Sequence, residues 1–193
     1  MLIRDARSDD MPAVLGLYNA RVLTTTVGWA ETLQTLDERD AWFAERQRRG
    51  DVVLVAEDIG DGASGGSGRG GGGDRGGDGV GGAVVGFAAY GPFRNDELWP
   101  GYRFTVEHTV HLDEAHLRKG LGRLLMEALI ARATEAGKHV MVGAIDGANE
   151  GSIAFHAALG FVEVARMPET GWKFGRWLDL VLMQRVLDPG AAR

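Results

Sequence analysis

Cysteine is absent from this chain of 193 residues. Its absence excludes a disulfide framework, a zinc–thiolate centre and a thiol nucleophile. Long apolar runs are absent as well. No stretch approaches the ~20 apolar residues of a membrane span, and the opening MLIRDARSDD has no apolar core of a leader. The expectation is a cytoplasmic protein with no membrane partner. Positive charge is in the minority, 21 Lys and Arg against 27 Asp and Glu for a net charge of −6, which argues against a general nucleic-acid binder. What remains, a length of 193 and an apolar fraction of 45%, suits one globular domain over 1–193 with a real core.

Glycine is plentiful but unevenly spread. The segment from Gly60 to Gly82 holds 14 of the 30 glycines, mixed with Asp, Ser and Arg. Such a segment cannot bury enough apolar surface to offset its ordering entropy, so residues 59–82 are expected to be a flexible insertion at the tip of a strand–strand hairpin. The Gly-x-x-x-x-Gly-Lys-Ser/Thr pattern of a phosphate-cradling loop does not occur in it. The tail 188–193 is expected to fray.

Periodicity supplies the rest of the frame. Strands are expected at 2–6, 51–57, 83–90, 104–112, 139–145, 161–165 and 177–186, and helices at 10–19, 35–49, after Gly122, and at 149–159. Ser8, Asp9 and Asp10 before Pro12 are candidate caps for the first helix. The run Thr24 to Trp29 either lines a site or only links two helices. This order implies an α/β layer fold, a mixed central sheet of about seven strands with helices on both faces.

Chemistry concentrates between Phe104 and Ala133, FTVEHTVHLDEAHLRKGLGRLLMEALIARA. An alternating strand gives way to Arg118-Lys119-Gly120-Leu121-Gly122-Arg123 and then to an amphipathic helix. Small residues let the backbone approach a ligand, and the free N–H groups of a first helical turn bind anions. With three cationic side chains in an acidic protein, a diphosphate-like group is the natural partner. Strand alternation places Phe104, Val106, His108, Val110 and Leu112 on one face and Arg103, Thr105, Glu107, Thr109 and His111 on the other. Glu107 is then a carboxylate in mid-strand, where burial is costly. It is either a general base of raised pKa or half of an ion pair with Arg103. His108, His111 and His116 do not suggest a metal, because the first two fall on opposite faces of one strand.

Several motifs together resemble the GNAT acetyltransferase superfamily, and within it the phosphinothricin and methionine-sulfoximine acetyltransferases. They are Ile3-Arg4-Asp5-Ala6, Asp10-Met11-Pro12-Ala13, Thr105-Val106-Glu107-His108-Thr109-Val110, the Arg118-to-Gly122 turn, Asn149, Ser152-Ile153-Ala154-Phe155-His156-Ala157-Ala158-Leu159-Gly160-Phe161 and Lys173-Phe174-Gly175-Arg176-Trp177-Leu178-Asp179. The resemblance implies acetyl transfer from acetyl-CoA, used as co-substrate without a metal, to the amine of a small amino-acid-like acceptor, by a homodimer whose late strands and 171–177 loop lie near the interface. By the same resemblance Glu107 is the base. Val110, His111 and Leu112 offer main-chain groups to the acetyl and pantetheine, and Arg118, Lys119, Gly120, Leu121, Gly122 and Arg123 hold the pyrophosphate, with Asn149 and Ser152 also on the cofactor. His156 stands where many relatives have a tyrosine that protonates the leaving thiolate. An imidazolium could do this, or the ring could simply pack in the core. Leu117 stands where the superfamily usually has Gln or Arg, which implies weaker anchoring. Arg94 and Arg103 suit a carboxylate or tetrahedral oxyanion on the acceptor, and Phe93 and Tyr102 its methylenes. An acetyltransferase for another amine and a non-catalytic acyl-CoA binder are the rival readings.

Overall fold

The computed structural model describes residues 1–60 and 82–187; the expectations for the glycine-rich insertion and the tail fall on residues outside that set. The described elements are β1 (Leu2–Asp5), α1 (Met11–Val22), α2 (Leu36–Arg49), β2 (Val53–Asp58), β3 (Ala83–Pro92), β4 (Thr105–Leu112), α3 (Leu121–Glu135), β5 (Val140–Asp146), α4 (Glu150–Ala158), β6 (Val162–Lys173) and β7 (Arg176–Val186). The seven strands form one sheet in the order β1-β2-β3-β4-β5-β7-β6. Every neighbouring pair is antiparallel except β4 and β5. This is the mixed α/β sheet expected from the pattern.

The middle strands are apolar on both faces because helices cover both. Val53, Val55, Phe87 and Ala89 pack with Met11, Val14 and Phe43 of α1 and α2, while Leu54, Ala56, Ala88 and Tyr90 pack with Leu125, Met126 and Leu129 of α3. Helix boundaries follow local chemistry. Thr35 accepts from the Glu38 amide at 3.3 Å while the Glu38 carboxylate accepts from the Thr35 amide at 2.8 Å, a reciprocal cap that starts α2. Gly50, at φ 70°, ends it in the left-handed region. Asp10 does not cap α1 as expected. Its carboxylate turns back to the Arg7 amide and to both terminal nitrogens of Arg4, tying β1 to the helix start.

The β4–β5 junction differs from the others. Only Thr105, Val106 and Glu107 pair with β5, opposite Val140, Met141 and Val142. Beyond Glu107 the two strands diverge, so main-chain groups of His108 to Leu112 on that side have no ladder partner. A cleft therefore opens through the sheet.

The sixth strand is longer than the alternation suggests, while β7 matches the expected 177–186 to within one residue. The expected strand 161–165 runs on to Lys173, through a register shift between Met167 and Gly171. Pro168 and Gly171 interrupt the pattern without ending the strand. The expected 171–177 loop is instead the tip of a two-residue hairpin, with Lys173 opposite Arg176 and both turn residues, Phe174 (φ 53°) and Gly175 (φ 70°), left-handed.

Candidate active site

Where β4 and β5 part lies a cavity of about 630 Å³, whose lining includes Glu107, His108, Thr109, Val110 and His111 from β4, Ala144 to Asp146 from β5, Asn149, Ser152 and His156 near α4, and Thr26 to Trp29 from the α1–α2 loop. It spans the sheet, so both faces of β4 reach it: Glu107 and His111 on the α1 side, His108 on the α4 side.

Glu107 is half-buried, and burial alone pushes its carboxyl above the ordinary value. The ion pair with Arg103, left open by the sequence, is not formed. The Arg103 guanidinium donates to the Pro100 carbonyl at 2.9 Å and lies 4.3 Å from the Phe104 ring. Among the described residues no cation sits within 4 Å of Glu107. A carboxylate desolvated without compensation is a stronger base than one on the surface, which suits it to take a proton from an amine.

On the other side, His108 and His156 stack with centroids 5.0 Å apart. The Nδ1 of His156 donates to the Ser152 carbonyl at 2.7 Å, since a carbonyl can only accept, so in the neutral ring Nε2 carries the lone pair. That Nε2 and both nitrogens of His108 are buried without a protein partner among the described residues. Burial pushes His156 below its ordinary value and His108 down to about 3, so both rings rest neutral. With Nδ1 bonded to Ser152, the neutral His156 ring keeps its Nε2 lone pair without a protein partner among the described residues, so an imidazolium here forms by proton uptake from a ligand. Gly143 of β5 makes room for the pair: an added Cβ would sit 2.9 Å from His108 Nε2 and 3.3 Å from His156 Nε2.

The turn before α3 is built from left-handed residues and amides unpaired among the described residues. Gly120 caps the helix at φ 82° with no side-chain cap, and Arg118 also adopts a positive φ of 60°. None of the amides from Arg118 to Arg123 donates to a protein acceptor among the described residues; the bonds flanking them are Leu117 to the Glu114 carbonyl and Leu124 to the Gly120 carbonyl. Six consecutive N–H groups without a protein acceptor among the described residues, at the positive end of a 15-residue helix, have the geometry an anion requires. Gly122 allows close approach, because a Cβ there would lie 3.2 Å from Leu112.

The remaining expected site residues divide. Val110 and His111 line the cavity; the His111 ring stacks on Phe87 at 5.0 Å and is pushed down to about 4, mainly by burial. Leu112 instead packs into the core beside α3. Asn149 caps α4 by accepting from the Ser152 amide at 3.0 Å, so its side-chain oxygen is engaged. Phe93 and Arg94 line the cavity, and Arg94 is exposed. Tyr102 and Arg103 do not line it. Both are exposed at the 3₁₀ turn Pro100–Tyr102, but the Tyr102 ring lies 6.1 Å from that of the lining residue Phe93, and the 2.6 Å pair between Asp96 and Arg49 ties the same loop to the end of α2. Sequence reasoning did not single out Tyr18, which forms part of the cavity wall. His108 faces α4 while His111 contacts Tyr18, and no cluster of three metal-ligating side chains occurs among the described residues.

Comparison with known proteins agrees with this geometry. Residues 71–161 match the model of the Acetyltransferase (GNAT) family. The chain is 44% identical over 187 residues to an L-methionine sulfoximine/L-methionine sulfone acetyltransferase of Pseudomonas paraeruginosa, covering 97% of this chain and 95% of that one. It is 33% identical to a phosphinothricin N-acetyltransferase of Alcaligenes faecalis, covering 97% and 83%. A Salmonella typhimurium acetyltransferase solved with its cofactor acetyl-CoA superposes with a TM-score of 0.84 at 41% identity, covering 100% of this chain and 97% of that one. Free amides before α3, a cleft through the sheet and a desolvated carboxylate beside it thus coincide with whole-length similarity, and the chain belongs to the GNAT acetyltransferase family as an N-acetyltransferase.

Proposed function

We propose that this enzyme moves the acetyl group of acetyl-CoA to the amine of a small amino-acid-like acceptor of the methionine sulfoximine, methionine sulfone or phosphinothricin type. The observation that carries the reading is Glu107, a carboxylate desolvated at the cleft with no cation beside it. The co-substrate fits the residues present. The amides of Arg118 to Arg123 suit its diphosphate, and the unpaired main-chain edge from His108 to Leu112 suits its amide-bearing arm. Acetyl-CoA supplies an acetyl group activated as a thioester.

The chain's own residues manage protons and orientation. Glu107 takes the first proton from the ammonium, since only the free amine is nucleophilic. His156 accepts the second at Nε2 and holds it for the departing sulfur, with Ser152 fixing the ring through Nδ1. Arg94 offers paired donors to the acceptor's acidic group, and Phe93 packs its methylenes. Neutral resting histidines leave Glu107 as the ionised base beside the incoming ammonium.

A homodimer and a cytoplasmic location complete the reading. Exposed apolar side chains on the β6–β7 hairpin, Trp172 at 49%, Phe174 at 52% and Trp177 at 57%, suit a second copy of the chain. Light scattering at a monomer mass across concentrations rules the dimer out. The activity is tested by thiol release from acetyl-CoA against a panel of amines. Release with methionine sulfoximine or phosphinothricin is expected. Release only with polyamines or peptides overturns the substrate class, and tight CoA binding with no release from any amine overturns catalysis.

A further inference from the structure

Lys173 is a buried cation that the chemistry above does not use. It is 1% exposed at the end of β6, and no carboxylate lies within 4 Å among the described residues. Burying an ammonium in this way is costly unless its donors are satisfied. They are met by main chain: Nζ donates to the Thr25 carbonyl at 2.9 Å and to the Gly28 carbonyl at 2.8 Å. Both carbonyls belong to the α1–α2 loop, whose Thr26 to Trp29 form one wall of the cavity.

A second contact on the same face of β6 acts on the same loop. Gly171 and Lys173, two residues apart, are the buried positions of an otherwise exposed strand. Gly171 seats Trp29, and a Cβ there would lie 2.3 Å from the indole. The far end of the loop is fixed independently, because the Asn19 side chain bonds both the amide and the carbonyl of Gln34. The wall segment is thus held at both ends, with Lys173 and Gly171 as the attachment nearest the cavity. The segment Thr24 to Trp29 carries no acidic side chain; Glu31 further along the same loop attracts the ammonium from beyond ion-pair distance, so the direct hold is through the two carbonyls.

We propose that Lys173 is a positioning residue for the acceptor: through two main-chain carbonyls, and with Gly171 seating Trp29, it holds the α1–α2 loop as the acceptor-side wall of the cavity. The proposal rests on the acetyl-transfer reading for its substrate and on geometry alone for the clamp. It also gives the Lys173-to-Asp179 motif a physical role at its first residue. The test is Lys173→Met, which keeps the stem and removes the donors, alongside Gly171→Ala, which keeps the ammonium and evicts Trp29.

Amide exchange over 23–34 needs no acceptor and is expected to accelerate about tenfold in both variants, the scale of one lost charge-assisted hydrogen bond. KM for the acceptor is expected to rise by a similar factor, with kcat and KM for acetyl-CoA within about twofold of the parent. Unchanged exchange in both variants overturns the clamp. Faster exchange with an unmoved acceptor KM, or with both KM values rising together, overturns the positioning role. Should no amine be acetylated, the substrate reading falls, and the exchange arm still decides whether the clamp exists.

Discussion

The two sides of the cleft meet their tasks by different means. At the proposed cofactor end the work would fall to main chain: six amides without a protein acceptor among the described residues, two left-handed residues and glycines that admit close approach. At the acceptor end it falls to side chains whose burial sets their chemistry, Glu107 above all. Backbone donors do not depend on side-chain identity, so single substitutions at this end should have small effects. A desolvated carboxylate has no substitute, so the acceptor end is where single changes should be severe.

The sharpest attempt to break this contrast is Glu107→Gln. Steady-state assays at neutral pH should show kcat reduced by roughly a hundredfold or more, the range of a lost general base, with KM for acetyl-CoA unchanged. Parent activity should rise with pH through a value above the ordinary 4.5 of a glutamate, and that limb should vanish in the variant. Full activity in Glu107→Gln at all pH values would remove the base.

Acid stability sharpens the contrast next. His108 and His111 bind protons less readily in the folded chain, at about 3 and about 4, than at their ordinary 6.5. The unfolded chain therefore takes up protons first, and the stabilisation they give is complete above pH 6.5 and lost as pH falls toward 4. His111 alone accounts for about 3 kcal/mol across that window. Denaturant titration of His111→Phe should show a flatter loss of stability on acidification, and an unchanged profile would contradict the assignment. Gly143→Ala, which intrudes on the stacked rings, should lower kcat about tenfold while leaving KM for acetyl-CoA near the parent value; an unaltered kcat would show that the pair tolerates displacement.

The smallest effect is expected at the amide-rich turn. The Arg123 guanidinium is exposed and paired with Glu127 at 2.7 Å, so Arg123→Ala should change stability by no more than about 0.5 kcal/mol. Its effect on KM for acetyl-CoA should be about two- to threefold, the size of a screened surface charge. A hundredfold change would mean that side chains, not amides, hold the diphosphate.

Much of the frame was legible because it depends on local rules. Alternation in β4 separated Glu107 from His108, and Gly120 before an amphipathic run marked the turn that starts α3. What depends on long-range contact was not legible. Nothing near Lys173 in sequence indicates that it bonds residues about 145 positions away. Tyr18 looks like a core residue because a helix face carries no label for what it meets. Tyr102 and Arg103 were placed on the acceptor by residue type; in the fold they stand outside the cavity lining, with Tyr102 one ring removed through Phe93. The length of β6 was hidden by Pro168 and Gly171, whose usual meaning is a break and which here sit in a register shift.

The short pairing between β4 and β5 has a mechanical consequence. With three register positions joining them, the sheet is two panels, β1 to β4 and β5 to β7, meeting along a brief seam. A ligand whose extended arm runs along that seam stitches the panels by replacing missing rungs. Occupancy should then raise the melting temperature beyond the inherent strength of either panel, because only the closed assembly can bind.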